Sequence, residues 1–206
     1  MRRHLLVSSA LLTLVVVAPA LAQQNADSIE LSQLPVGRGT VPLSNIQMQF
    51  RSNNLQIAFT PLNESVLRLL APDSYRSLHG LLVSQQGKID SIAHTNGIQD
   101  PGVAMVSLSA LTANTRFDPE LLTVSVHLQP DRPVGWIALG ADFANQVLDA
   151  RQQVTAIFVF AQRLPVNESF TVTYLDGASD DWQGRIQRLD QERARLMGLA
   201  HRPGGN

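Results

Sequence analysis

The chain has 206 residues, 16% of them charged, a formal net charge of −1 and no cysteine. The missing thiols exclude disulfides, thiolate metal sites, cysteine nucleophiles and a lipid attached through cysteine. A near-neutral balance lacks the electrostatic footprint of a nucleic-acid binder, and losing Arg2 and Arg3 with a leader moves the charge to about −3.

Arg2, Arg3 and His4 precede an apolar run from Leu5 to Ala18, and Ala20-Leu21-Ala22 follows as a small-x-small cleavage site. This is the pattern of a secretory signal peptide over residues 1–22. The run is shorter than the roughly 20 apolar residues that a membrane-spanning helix needs, and no second run of that length follows. The expectation is an exported chain, periplasmic or secreted, with no membrane span after cleavage. Lys88 is the sole lysine among many arginines, a bias read as a GC-rich bacterial genome.

Residues 23–45 read as an N-terminal arm, because Pro35, Gly37, Gly39 and Pro42 break any persistent period. A single β-rich domain is expected over 46–199. Ile46, Met48 and Phe50 alternate with glutamines, Asn53-Asn54 signals a turn, and Leu55, Ile57 and Phe59 alternate again, which predicts a β-hairpin. A helical insertion is predicted over 63–96. Asn63 or Ser65 would cap a first short helix that Pro72 ends, and Asp73 or Ser74 would cap a second. Tyr75, Leu78, Leu82, Ile89 and Ile92 fall near helical spacing, with a break at Gln86-Gly87 and an end at Asn96-Gly97.

Strands return with Ala104, Val106, Leu108 and Ala110 on one face, then Leu122, Val124, Val126 and Leu128 on the next. Pro130-Asp131-Arg132-Pro133 reads as a turn before a strand from Val134 to Leu139 whose Trp136 belongs to the core. Gly140 to Gln153 is a long connection with a helical turn near Ala144–Leu148. Val154 to Phe160 is apolar on both faces, as a central buried strand would be. Phe170, Val172 and Tyr174 alternate up to Asp176-Gly177. Ser179 caps a C-terminal amphipathic helix over 179–198 whose first turn gains from Asp180 and Asp181, and residues 200–206 form a disordered tail.

About seven strands at short spacing argue for a mainly β fold, a two-layer antiparallel β-sandwich of immunoglobulin-like type. The alternative is an α+β fold with one antiparallel sheet. No catalytic, cofactor-binding or metal site is assigned. His79 and His94 are too far apart for one helix face, and His127 stands alone on the polar face of its strand. The chain lacks G-x-S-x-G, S-x-x-K and glycine-rich phosphate loops. Asp176 to Asp181 lacks the EF-hand pattern and reads as a strand-ending turn before a helix N-terminus. The expected function is a non-enzymatic, exported protein-binding or envelope accessory domain, with the connection 140–153, the helical insertion and the polar face of the last helix as recognition surfaces. The competing readings are an exported hydrolase whose site assembles from His127 and distant carboxylates, and a small-ligand carrier.

Overall fold

The computed structural model describes residues 34–200. The expected signal peptide, the first part of the arm and all but one residue of the tail lie outside that range. Eleven strands and three α-helices occur among the described residues. Seven strands are four to nine residues long and coincide with the strand segments expected from the sequence: β1 (Met48–Ser52), β2 (Leu55–Pro61), β3 (Gly102–Ala110), β5 (Leu122–Val126), β7 (Pro133–Ala138), β9 (Gln153–Phe160) and β10 (Thr171–Tyr174). The others are two- or three-residue pieces: β4 (Thr115–Arg116), β6 (Gln129–Asp131), β8 (Val147–Leu148) and β11 (Gly177–Ser179). Pieces that short carry no period to read.

The strands form three antiparallel sheets, in the orders β1-β2-β3-β9-β7, β11-β10-β5-β6 and β4-β8. Opposed residues in an antiparallel sheet share a face. One row across the five-stranded sheet therefore runs Met48, Phe59, Val106, Ala156 and Ala138. A single hydrophobic core joins that face to Leu122, Val124, Val172 and Tyr174 of the four-stranded sheet. Phe59 meets Phe170 edge-on at 6.2 Å across the two sheets. Trp182, fully buried, meets Phe170 in a tilted ring contact at 5.1 Å and donates its indole N–H to Val166 O at 3.1 Å. Each such side chain contributes about 1.5–3 kcal/mol by leaving water.

Helix α1 (Glu64–Leu67) is capped by Asn63, whose carbonyl accepts the Ser65 N–H at 3.0 Å. Helix α2 (Pro72–Thr95) packs on the other face of the five-stranded sheet, with Ile92 against Gly135 of β7. That second cover explains why β9 is buried on both faces from Ala156 to Phe160. Two helix expectations are corrected. Pro72 begins α2 and does not end the preceding helix, because a proline at the first helical position forfeits only an N–H with no helical partner. The N-cap is Ala71, with no side-chain bond. The helix also runs unbroken through Gly80 and Gly87 to Gly97, which takes φ +67° and lets Ile98 N–H reach Ala93 O at 2.9 Å.

Three further expectations are corrected. The turn lies at His127-Leu128, not at Pro130–Pro133; both residues take positive φ, and Gln129–Asp131 pairs back on β5 as β6. Trp136 is half-buried because β7 is an edge strand, and Trp182 is the core tryptophan. The last helix, α3 (Gln183–Ala200), starts later than expected, and the connection 140–153 holds a 3-10 turn at Ala141–Asn145 followed by β8. Among the described residues no helix is long and apolar enough to cross a membrane.

Candidate functional site

The five-stranded sheet ends at β7, which pairs only with β9. Leu139 N–H donates to Thr155 O at 2.9 Å. Main-chain groups alternate in direction along a strand, so Ile137 also faces β9, whereas the N–H and C=O of Trp136 and Ala138 face away from the sheet. Beside that edge lies a trench of about 500 Å³. It is lined by Ile92 of α2, Glu120 of the 3-10 turn Pro119–Leu121, and Pro133 to Trp136. Arg132 also lines it. An edge with unpaired donors and acceptors, a half-buried tryptophan and one charge of each sign is equipped to hold an extended peptide.

A second groove, of about 520 Å³, lies on the far side of the same 3-10 turn. Leu121, Val147 and Leu175 are exposed along it, and Tyr174 closes its base by accepting the Asp118 N–H at 2.8 Å. Burial pushes the Tyr174 hydroxyl above the ordinary phenol range. This groove brings the expected recognition connection, through Gln146 and Val147, beside two other loops.

The histidines are not alone. His127 sits in the β5–β6 turn with its Nε2 3.6 Å from Glu168 Oε2. Both line a cavity of about 270 Å³ that also receives Asp131 and Arg163. Burial raises the Asp131 carboxyl above the usual carboxylate range, although its Oδ2 accepts the Gln162 N–H at 3.1 Å. His79 Nδ1 lies 3.0 Å from Glu64 Oε2, while Glu64 Oε1 accepts from Arg68 Nε and the Tyr75 hydroxyl, both at 3.0 Å. The Tyr75 and His79 rings stack at 5.0 Å. Burial first, then the carboxylate, raises the Tyr75 hydroxyl. This cluster joins α1 to α2, and its i, i+4 and tertiary bonds describe a fastener. His94, in the last turn of α2, is exposed.

The acidic stretch 176–181 is dispersed. Asp176 Oδ1 accepts the Ser52 hydroxyl at 2.8 Å and Asp181 lies 3.9 Å from Arg185. Among the described residues no group of three or more His, Asp and Glu is placed to hold a metal ion.

Much of the polar face of α3 meets the chain's own N-terminal arm. Arg185 Nη1 donates to Ser44 O at 2.6 Å, Arg188 Nη1 to Asn45 Oδ1 at 3.2 Å, and Arg195 Nη2 to Arg38 O at 2.8 Å. Glu192 Oε1 accepts from Thr40 N at 2.7 Å and Thr40 Oγ1 at 2.9 Å, and Arg195 grips both carboxylate oxygens at 2.7 Å. Those bonds, from Arg195 foremost and then Thr40, hold the Glu192 carboxyl below the usual range despite its burial. Thr40 and Gly39 carry no periodic signal, so sequence reasoning had nothing by which to pair this arm with the helix.

Compared with protein-family models, curated proteins and solved structures, the chain matches none.

Proposed function

We propose that the chain is an exported, non-enzymatic module that binds a protein partner by adding an extended segment of that partner to the open edge of β7. The supporting observation is the outward main chain of Trp136 and Ala138 at the end of a five-stranded sheet, with a cavity of about 500 Å³ between Ile92 of α2 and Pro133–Trp136. Main-chain bonds to the edge would supply register, and the Trp136 ring with Arg132 and Glu120 would supply selectivity. Export to the periplasm or beyond rests on the charged, apolar and small-x-small pattern of residues 1–22.

We read the two larger sheets as layers of a sandwich, supported by the Phe59–Phe170 contact between them. The immunoglobulin-like order is dropped from that reading. Such a fold sends its third long strand to the opposite sheet, whereas β1, β2 and β3 are neighbours in one sheet here.

Capture from an envelope extract tests the reading with two variants of one exposed residue. Ala138→Pro removes an outward N–H without touching the β9 ladder, and Ala138→Val keeps it. The expected result is a stoichiometric protein partner retained by the wild type and Ala138→Val and lost by Ala138→Pro. Equal retention by all three, or no partner for any, contradicts edge addition.

A further inference from the structure

The cavity beside the β5–β6 turn is a built site with no part in edge addition. Two connections meet there: the turn that carries His127, and the segment between β9 and β10 that carries Gln162, Arg163 and Glu168. The turn is held in a costly conformation, with φ +49° at His127 and +67° at Leu128. A two-residue hairpin of this hand favours Asn-Gly, and a left-handed leucine costs about 1–2 kcal/mol. Leu128 is 97% exposed, so no packing of its side chain repays that cost. The conformation does bring the imidazole to the cavity opposite Glu168. Strain retained at a cavity mouth is a reason to look for a ligand.

The lining chemistry narrows the class. Asp131 and Glu168 accept hydrogen bonds, Gln129 and Gln162 offer both donors and acceptors, and Arg163 donates. Val124, Val126, Leu164 and Pro165 give an apolar wall. Arg163 also faces Asp100 at 4.0 Å, so the two carboxyls of the lining leave it slightly acidic and a free anion is disfavoured. Apart from the imidazole no aromatic ring lines the cavity, so a planar base or ring has little to stack on. A volume of about 270 Å³ has room for roughly nine waters at about 30 Å³ each. That suits one ring carrying several hydroxyls.

We infer that this cavity binds a neutral sugar residue, with the carboxyls of Asp131 and Glu168 accepting its hydroxyls, Arg163 and the two glutamines completing the set, and His127 closing the mouth. Burial raises the Asp131 carboxyl although the backbone at Gln162 and Ala161 bonds it, and a carboxyl in such a place can accept a hydroxyl with its remaining lone pairs.

The test is a titration of the isotope-labelled full chain with D-glucose, D-galactose and N-acetyl-D-glucosamine, one at a time, following amide shifts through the millimolar range. At least one is expected to saturate, moving the amides of Gln129, Asp131, Gln162 and Glu168. Asp131→Asn, which still accepts the Gln162 N–H, is expected to weaken binding about tenfold or more. The double variant His127→Asn with Leu128→Gly keeps the turn in its preferred residues and is expected to weaken binding with the fold intact. Absence of saturable shifts at these amides with all three sugars overturns the inference. So does binding of D-glucuronate or D-glucosamine in preference to every neutral sugar.

Discussion

The two edges of the five-stranded sheet are finished differently. At the β1 edge, β11 of the other sheet lies against the Arg51–Ser52 end. Gly177 approaches so closely that a Cβ there would fall 2.3 Å from Arg51 O, and Ser52 donates to Asp176 at 2.8 Å. The approach to β1 is fastened as well, since α3 holds Thr40, Ser44 and Asn45. At the β7 edge the main chain of Trp136 and Ala138 faces away from the sheet, and a cavity lies beside the Pro133–Trp136 part of it. An open edge is a hazard that folds ordinarily cover or charge. One edge is sealed by a glycine fit and the other is left unpaired beside a tryptophan, which is the asymmetry that the proposed edge addition needs.

The strongest way to break the contrast is at the sealed edge. Gly177→Ala drives a methyl into the Arg51 carbonyl, and the expected loss is about 3 kcal/mol, read by denaturant unfolding. A loss under about 0.5 kcal/mol would show that β11 yields freely and that the edge is not sealed.

The fastener behind β1 comes next. Glu192→Ala leaves Thr40 and the half-exposed Arg195 without their shared acceptor, and the expected cost is about 2 kcal/mol, or roughly 6 °C in Tm for a chain of this size. Its pH signature has a defined sign. The folded Glu192 carboxyl lies below its ordinary value, so its contribution is present at neutral pH and lost as pH falls through the folded value. Asp131 has the opposite sign: its carboxyl is raised, so its contribution is present at low pH and lost as pH rises through the raised value. Thermal melts from pH 7 to pH 3 should therefore show a smaller acid loss in Glu192→Gln than in the wild type. Asp131→Asn should gain stability at neutral pH relative to the wild type. Reversal of either sign would mean that the carboxyl concerned is perturbed in the opposite direction.

These contrasts were unevenly legible in the sequence. The long strands were readable because their burial alternates as their residues do, from Met48-Gln49-Phe50 to Val172-Thr173-Tyr174. The C-terminal helix was readable by its three- and four-residue steps. The open edge was not, because strand order is a tertiary property: Trp136 has the same neighbours in sequence whether β7 is central or outermost. The His127-Leu128 turn was hidden because neither residue is a turn former and two prolines nearby imitate a turn. Glu64 with His79, and Glu168 with His127, come together only through the packing of separate elements, at separations no local motif spans.

The smallest expected stability change is at the open edge itself. Ala138→Pro removes an N–H that no described residue uses, so it should cost less than about 1 kcal/mol in denaturant unfolding. A cost near that of Gly177→Ala would place a hidden partner on that donor.

Amide hydrogen exchange along β7 of the free wild-type chain tests the central claim most directly. Alternation is expected: slow exchange at Ile137 and Leu139, whose N–H groups point to β9, and fast exchange at Trp136 and Ala138, whose groups point away from it. Uniform protection across Trp136 to Leu139 would contradict it, because the edge would then already be occupied and closed to a partner.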